Sequence, residues 1–355
     1  MSTTTAPKTK ANEGRSPTWL PTLLVVVAAA TVAVLAGLSG WFRYALSPIQ
    51  HENGASEVAL FEVQPGDSLA GVARALEDRG LIRSALALHG LARLQSFETK
   101  LKVGEYELSP GLSTPEIAQI LASGRVRTRA VVIPEGTRAV EIADRLELQG
   151  LTDREDFLRV VFDPEAARRF EVEGPTLEGY LFPDTYRFAK GLSASEIAEA
   201  MVDEFREVYR ALRARSPKSE LSMREVVTLA SIVEKETGVP EERPLIAAVF
   251  LNRMQRGMRL ETDPTVIYGI ADFDGNLRRV HLEDADNAYN TYQIQGLPPG
   301  PIASPGREAM RAVLEPAESP FLFFVSRNDG THIFSKSYRD HARAVVHFQK
   351  QRRRR

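Results

Sequence analysis

From Ser16 to Phe42 the chain carries no charged residue, and Leu20 to Leu38 is dominated by Leu, Val and Ala. A stretch of that length can cross the hydrocarbon core of a bilayer as one helix. Trp19 and Trp41 stand at its ends, where amphipathic rings favour the membrane interface. Lys8, Lys10 and Arg15 precede it against the single acid Glu13. The positive-inside rule therefore predicts a cytoplasmic tail over 1–17, a transmembrane helix over 18–42, and everything after Arg43 outside the cytoplasm. A cleaved signal peptide fits less well, because its apolar region is shorter and a small-x-small site should precede the polar sequence.

Composition then narrows the chemistry. A length of 355 residues allows two or three domains. The formal net charge of −2 offers no global attraction to nucleic acid, and none is expected as a partner. Cysteine is absent, which excludes disulfides, thiolate metal sites and a cysteine nucleophile. The histidines show neither an HExxH motif nor close ligand spacing, so no metal site is expected.

After a tether over 43–57, folded sequence begins near Val58. "FEVQPGDSLAGVARALEDRGL" (61–81) predicts a strand, a Pro-Gly turn and a helix with Val72, Ala73 and Leu76 on one face, closed by Gly80. A second strand and helix follow, the helix opened by the capping box Ser113–Glu116. "VIPEGTRAVEIADRLELQGL" (132–151) echoes the first unit, with Ile142, Ala143, Leu146, Gly150 and Leu151 in the corresponding places. True duplication and the common look of strand–turn–helix units explain the echo about equally well. Through its V-x-P-G-D-S-L opening, 58–108 resembles LysM modules, and a LysM-like module is assigned to 58–128. The resemblance implies a glycan-holding role, although Pro-Gly-Asp is also ordinary turn chemistry.

Farther on, "EGPTLEGYLFPDTYRF" (173–188) sets Glu178 and Asp184 among Tyr180, Phe182 and Tyr186. Aromatic faces beside acidic groups suit a sugar cleft. An aromatic loop packed on the core is the equal alternative.

"LSMREVVTLASIVEKETGVP" (221–240) predicts a core helix of about four turns, opened by Ser222 with Glu225 and stopped by Gly238 and Pro240. Its apolar stripe ends in Glu234-Lys235-Glu236. At 100° per residue Lys235 projects into solvent and the two glutamates flank it on opposite sides, so geometry alone does not choose between them. Glu236 follows Ile232 and Val233 by four and three positions. Apolar neighbours and the helix C-terminus both raise a carboxyl pKa, which a general acid near neutrality requires. The bland alternative leaves both glutamates exposed, paired with Arg243 or Lys235.

"ASIVEKET", "ERPLIAAVFLNRMQRGMRLETDPTVIYGI", "YNTYQIQGLPPGPIASPG" and "PFLFFVSRNDGTHIFSKSYRDH" together resemble the endolytic murein transglycosylases, the MltG/YceG-like family. The resemblance runs over about 58–348 and is densest from 226 to 341. It implies an α+β chain: a single N-terminal transmembrane helix, the LysM-like module, then a transglycosylase domain over 129–348. It also implies Glu236 as the catalytic acid and base, with no cofactor. Such an enzyme cleaves the β-1,4 bond from N-acetylmuramic acid to N-acetylglucosamine and leaves 1,6-anhydro ends. The implied setting is the bacterial inner membrane, with peptidoglycan strands as substrate and cell-wall synthases as partners. Glu178, Tyr186, Thr262, Asp263, Thr265, Asn290 and Tyr292 are candidate substrate-binding residues. Asp263 has a second reading as a helix cap before Pro264. "GLPPGPIASPG" (296–306) reads as a cleft edge or brace, and 349–355 as a basic, solvated tail. A water-using muramidase or glucosaminidase, with Glu178 or Asp263 as second carboxylate, and a non-catalytic glycan-binding scaffold are the competing functions.

Overall fold

One helix, α1 (Trp19–Leu46), carries the apolar run. Its segment Thr22–Leu46 is long and apolar enough to cross a membrane by length and composition. The computed structural model describes residues 19–49, 58–95 and 101–350. The expected cytoplasmic tail (1–17), the 50–57 portion of the tether and residues 351–355 of the basic tail lie outside that set. The helix runs four residues beyond the expected end at Phe42 because its last turn is held by tertiary contacts. Ala45 is buried, the Thr114 hydroxyl donates to the Ala45 carbonyl at 3.3 Å, and Arg83 donates to Tyr44 Oη at 3.1 Å and to the Pro48 carbonyl at 2.7 Å.

Mixed α+β structure follows, and the described residues fall into two compact units. The first holds α1, β1 (Ala59–Val63), α2 (Leu69–Asp78), α3 (Ala85–Gln95), β2 (Gly104–Leu108) from Tyr106 onward, and α4 (Thr114–Ser123), with β1 and β2 paired. Phe61, Val72, Leu76, Leu88, Tyr106, Ile117 and Leu121 form its core. The Pro-Gly-Asp sequence acts as turn chemistry: Gly66 takes φ 88°, Asp67 accepts the Gln64 N–H at 2.8 Å, and Ser68 caps α2 through the Gly71 N–H at 3.1 Å.

Continuing the chain, the second unit comprises β3 (Thr128–Val132), α5 (Ala139–Leu148), α6 (Arg154–Val161), α7 (Pro164–Arg169), β4 (Thr185–Ala189), α8 (Ala194–Arg215), α9 (Met223–Glu236), α10 (Arg243–Gln255), α11 (Asp263–Tyr268), α12 (Arg279–Glu283), α13 (Arg307–Leu314), β5 (Phe323–Ser326), β6 (His332–Ser335) and α14 (Tyr338–Val345). β3 pairs antiparallel with β4, and β5 with β6. The sequence echo is a shared ending: α2 and α5 both close on a left-handed glycine, Gly80 and Gly150, followed by a buried leucine. In each, that leucine's N–H returns to a carbonyl five residues back, from Leu81 to Leu76 and from Leu151 to Leu146.

At the centre of the second unit lies α9, packed against α10, α11 and α13. Val226, Val227, Leu229, Ala230, Ile232 and Val233 are all fully buried. Its start is the expected capping box: the Ser222 N–H donates to Glu225 at 2.8 Å and the Glu225 N–H to Ser222 Oγ at 3.2 Å. The proline-rich 296–306 segment braces this helix. The Ile302 N–H donates to Ser231 Oγ at 3.0 Å and the Gly306 N–H to Glu234 at 2.9 Å, while Arg224 holds the Pro299 carbonyl.

Candidate active site

α9 ends at Glu236, earlier than the expected stop. Thr237 leaves the helix in an extended conformation (φ −142°, ψ 138°), and its hydroxyl accepts the Val239 N–H at 2.9 Å. Gly238 is not in the left-handed region, and Pro240 opens a short 3-10 turn, Pro240–Glu242. A threonine that satisfies a following N–H through its own side chain breaks the helix without a left-handed glycine. Glu236 is thereby placed among the unpaired carbonyls of the helix C-terminus, where negative charge is disfavoured.

The three charged residues separate cleanly. The Glu234 side chain is 5% exposed, with Oε1 2.7 Å from Arg243 Nη2 and Oε2 accepting the Gly306 N–H. Both its oxygens are committed to holding α9 against α10 and α13. Lys235 is exposed, its Nζ reaching the Gly136 carbonyl at 3.2 Å. Glu236 lines a pocket of about 460 Å³. Burial pushes its carboxyl up to about 7. A hydrogen bond from Thr262 works against the rise, and the Asp263 carboxylate adds to it. The Thr262 hydroxyl donates to Oε1 of Glu236, which leaves Oε2 for a proton and a reacting oxygen.

Thr262 is held by a threonine cluster: its N–H donates to Thr291 Oγ1 at 3.0 Å, and Thr265 Oγ1 donates to its carbonyl at 2.8 Å. Thr265 and Thr291 also share a 2.8 Å hydroxyl contact. Asp263 sits in the first turn of α11 and accepts the Tyr292 hydroxyl at 2.7 Å. Burial raises the Tyr292 phenol, and that contact adds to the rise. Thus Glu236, Thr262, Asp263 and Tyr292 meet at one pocket.

The other candidates lie elsewhere in the unit. Thr265 is buried behind Thr262. Asn290 is fully buried, donates to the carbonyls of His281, Leu282 and Asp284, and accepts the Tyr292 N–H at 3.0 Å. It shapes the loop that presents Tyr292, and its complete burial keeps it from a sugar. Tyr186 stacks on Phe188 at 5.4 Å and donates to the Phe182 carbonyl at 2.7 Å. Tyr180 is fully buried edge-on to Phe205 at 5.2 Å. The 173–188 aromatics therefore pack on the core; they do not wall the pocket that Glu236 lines.

Glu178 is 3% exposed and accepts the Ala139 N–H at 3.0 Å, at the start of α5, and the Tyr268 hydroxyl at 3.3 Å. Burial outweighs these bonds and pushes its carboxyl up to about 7. A carboxyl raised in the folded state favours folding less as pH climbs from its unfolded value toward 7. Glu178→Gln, which cannot ionise, should gain roughly 2–4 kcal/mol over wild type between pH 4.5 and 8. Melting both proteins at the two ends of that range measures it; a constant difference in melting temperature contradicts the burial of an ionisable Glu178.

Sequence reasoning passed over Arg253, Glu261, Phe323 and His332, which also line the pocket. Arg253 on α10 donates to the Leu322 carbonyl at 2.9 Å and to Glu261 at 3.0 Å, with its guanidinium 5.2 Å from the Phe323 ring. Glu261 takes φ 53°, a left-handed conformation costly for a non-glycine residue, immediately before Thr262. All four occur in the quoted motifs, but nothing in their local spacing marks them out.

A membrane-length helix preceding an α+β unit whose polar pocket holds a buried, raised glutamate defines a class that the comparisons make specific. Residues 61–347 match the YceG-like family, and the chain belongs to that family. The protein named "Endolytic murein transglycosylase" in Bacillus subtilis (strain 168) is 28% identical over 324 residues, covering 86% of this chain and 89% of its own length. A protein of the same name in Streptococcus pneumoniae serotype 2 is 28% identical over 349 residues; the match covers 88% of this chain and 63% of that longer protein. The crystal structure of a YceG-like protein from Listeria monocytogenes is 33% identical, with a TM-score of 0.56 over 82% of this chain and all of that one.

Proposed function

We propose that this protein is a membrane-anchored endolytic peptidoglycan lytic transglycosylase with Glu236 as its general acid and base. The observation that carries the reading is Glu236 at the pocket wall, its carboxyl raised to about 7 by burial. Near neutrality such a group can still hold the proton that the scissile oxygen needs. Glu236 Oε2–H protonates the β-1,4 oxygen between N-acetylmuramic acid and N-acetylglucosamine. The carboxylate so formed takes the proton of the muramoyl 6-hydroxyl as that oxygen closes on C1. The nucleophile is part of the substrate, so one carboxyl completes a cycle for which hydrolases ordinarily use two. Thr262 fixes Oε1, and Asp263 with Tyr292 offers polar contacts to the saccharide.

α1 supports a single-pass anchor, with residues 1–17 cytoplasmic and the catalytic unit outside, at the bacterial inner membrane. The strand–helix–helix–strand order of the first unit supports a LysM-like module over 58–128 that holds glycan, with the catalytic domain over 129–348. Nascent peptidoglycan strands are the substrate, and cell-wall synthases are the partners that would supply them.

A second reading has one observation in its favour: Asp263 is a second carboxylate in the same pocket, which a water-using muramidase would employ. Incubating the full chain with purified glycan strands and weighing the products separates the readings. Ends lighter by one water support transglycosylation, reducing ends support the muramidase, and unchanged strands support a binding protein.

The pH dependence follows from Glu236 acting first as an acid. kcat/KM for strand cleavage should fall as pH rises through about 7, by about tenfold per pH unit beyond it. A rate flat from pH 6 to 9 would contradict the assignment.

A further inference from the structure

His332 opens β6 opposite Ser326 of β5 and lines the same pocket as Glu236. Its side chain is 10% exposed and its ring meets Phe324 edge-on at 5.4 Å. Glu242, which closes the 3-10 turn six residues after Glu236, grips it at two points. Oε1 accepts the His332 backbone N–H at 2.9 Å, and Oε2 lies 2.7 Å from ring Nδ1. An ionised carboxylate has no proton to give, so this contact places the hydrogen on Nδ1. In the neutral ring Nε2 is then the bare acceptor. Among the described residues Nε2 has no hydrogen-bond partner, and it is the nitrogen left for the pocket.

The arrangement does more than the fold requires. Packing alone would be served by an apolar ring against Phe324, whereas a two-point carboxylate clamp fixes both the position and the tautomer of an imidazole. Several of the pocket's other polar wall groups already pair with one another: Thr262 with Glu236, Tyr292 with Asp263 and Arg253 with Glu261. A fixed acceptor with an unused lone pair fits an uncharged donor, and a glycan strand offers two kinds, hydroxyls and acetamido N–H groups.

We propose that His332 is a substrate-binding residue whose Nε2 accepts a hydrogen bond from a sugar donor of the strand bound against Glu236, and that Glu242 is the positioning residue that fixes its tautomer. This rests on the glycan-cleaving reading of the same pocket. No covalent step is assigned to the ring; it orients the saccharide while Glu236 handles the proton.

The test uses the full chain and purified glycan strands. In a Glu236→Gln background, which holds strands without cutting them, His332→Phe should weaken strand binding about tenfold, as expected for losing one hydrogen bond and stranding its donor. Histidine-labelled protein gives a second readout that needs no activity. Long-range proton–nitrogen spectra should show His332 with Nδ1 protonated and Nε2 bare, and Glu242→Gln should mix the two tautomers. Binding within twofold of the parent, or a wild-type ring protonated on Nε2, overturns the proposal. If the wild-type chain fails to cut strands, the transglycosylase reading falls; if it cuts them and His332→Phe binds undiminished, only the histidine's role falls.

Discussion

Glu236→Gln should lower strand cleavage by about a thousandfold or more, the scale of losing a general acid that also serves as base. The amide keeps the shape of the side chain and can still accept the Thr262 hydroxyl at its oxygen, so the pocket survives while the transferable proton does not. Folding gives the paired readout. The wild-type carboxyl is raised to about 7 by burial, so its contribution to stability declines as pH climbs from the unfolded value toward 7. The amide escapes that decline. The variant should therefore melt higher relative to wild type at pH 8 than at pH 5, while remaining inactive at both. More than a tenth of wild-type cleavage in a folded Glu236→Gln protein would remove Glu236 from the chemistry.

Arg243→Met should be the most damaging change that leaves the pocket's own side chains untouched. Arg243 is buried and its guanidinium faces Glu234, whose side chain is 5% exposed. Removing the cation leaves a carboxylate with one backbone N–H, from Gly306, inside the packing of α9, α10 and α13. Breaking a buried pair from one side costs about 3–5 kcal/mol, which urea unfolding would measure. Replacing both partners, Arg243→Met with Glu234→Leu, should recover most of that loss, because the penalty lies in the unpaired charge. Glu234→Gln should keep a substantial fraction of cleavage below its melting temperature, since Glu234 holds the helix and does not meet the substrate. A loss under about 1 kcal/mol for Arg243→Met would show that solvent reaches Glu234 freely.

These two glutamates mark how far the sequence could be read. Local signals carried α9 well: a serine and glutamate three apart set its start, and its apolar stripe became its buried face. Its end was misjudged because Gly-Val-Pro outweighs a threonine in any local rule, whereas Thr237 stopped the helix through its own hydroxyl. Apolar neighbours favoured Glu236 over Glu234, yet the partners that separate them, Arg243, Gly306 and Thr262, sit on other elements. The pocket itself draws on residues from 236 to 349, and no periodicity joins Arg253 to His332. The aromatics of 173–188 misled for a simpler reason. A sugar platform and a core use the same side chains, and tertiary contacts such as that of Tyr180 with Phe205 tell them apart. Membrane length was the most legible feature because it needs only the absence of charge over a known number of residues.

The most direct measurement is strand cleavage by the full chain in water enriched in heavy oxygen, with the new chain ends weighed. An internal 6-hydroxyl as nucleophile predicts anhydro ends that carry no label. One heavy oxygen on each new muramoyl C1 end would mean that water is the nucleophile, and a single-carboxyl transglycosylase centred on Glu236 would be contradicted.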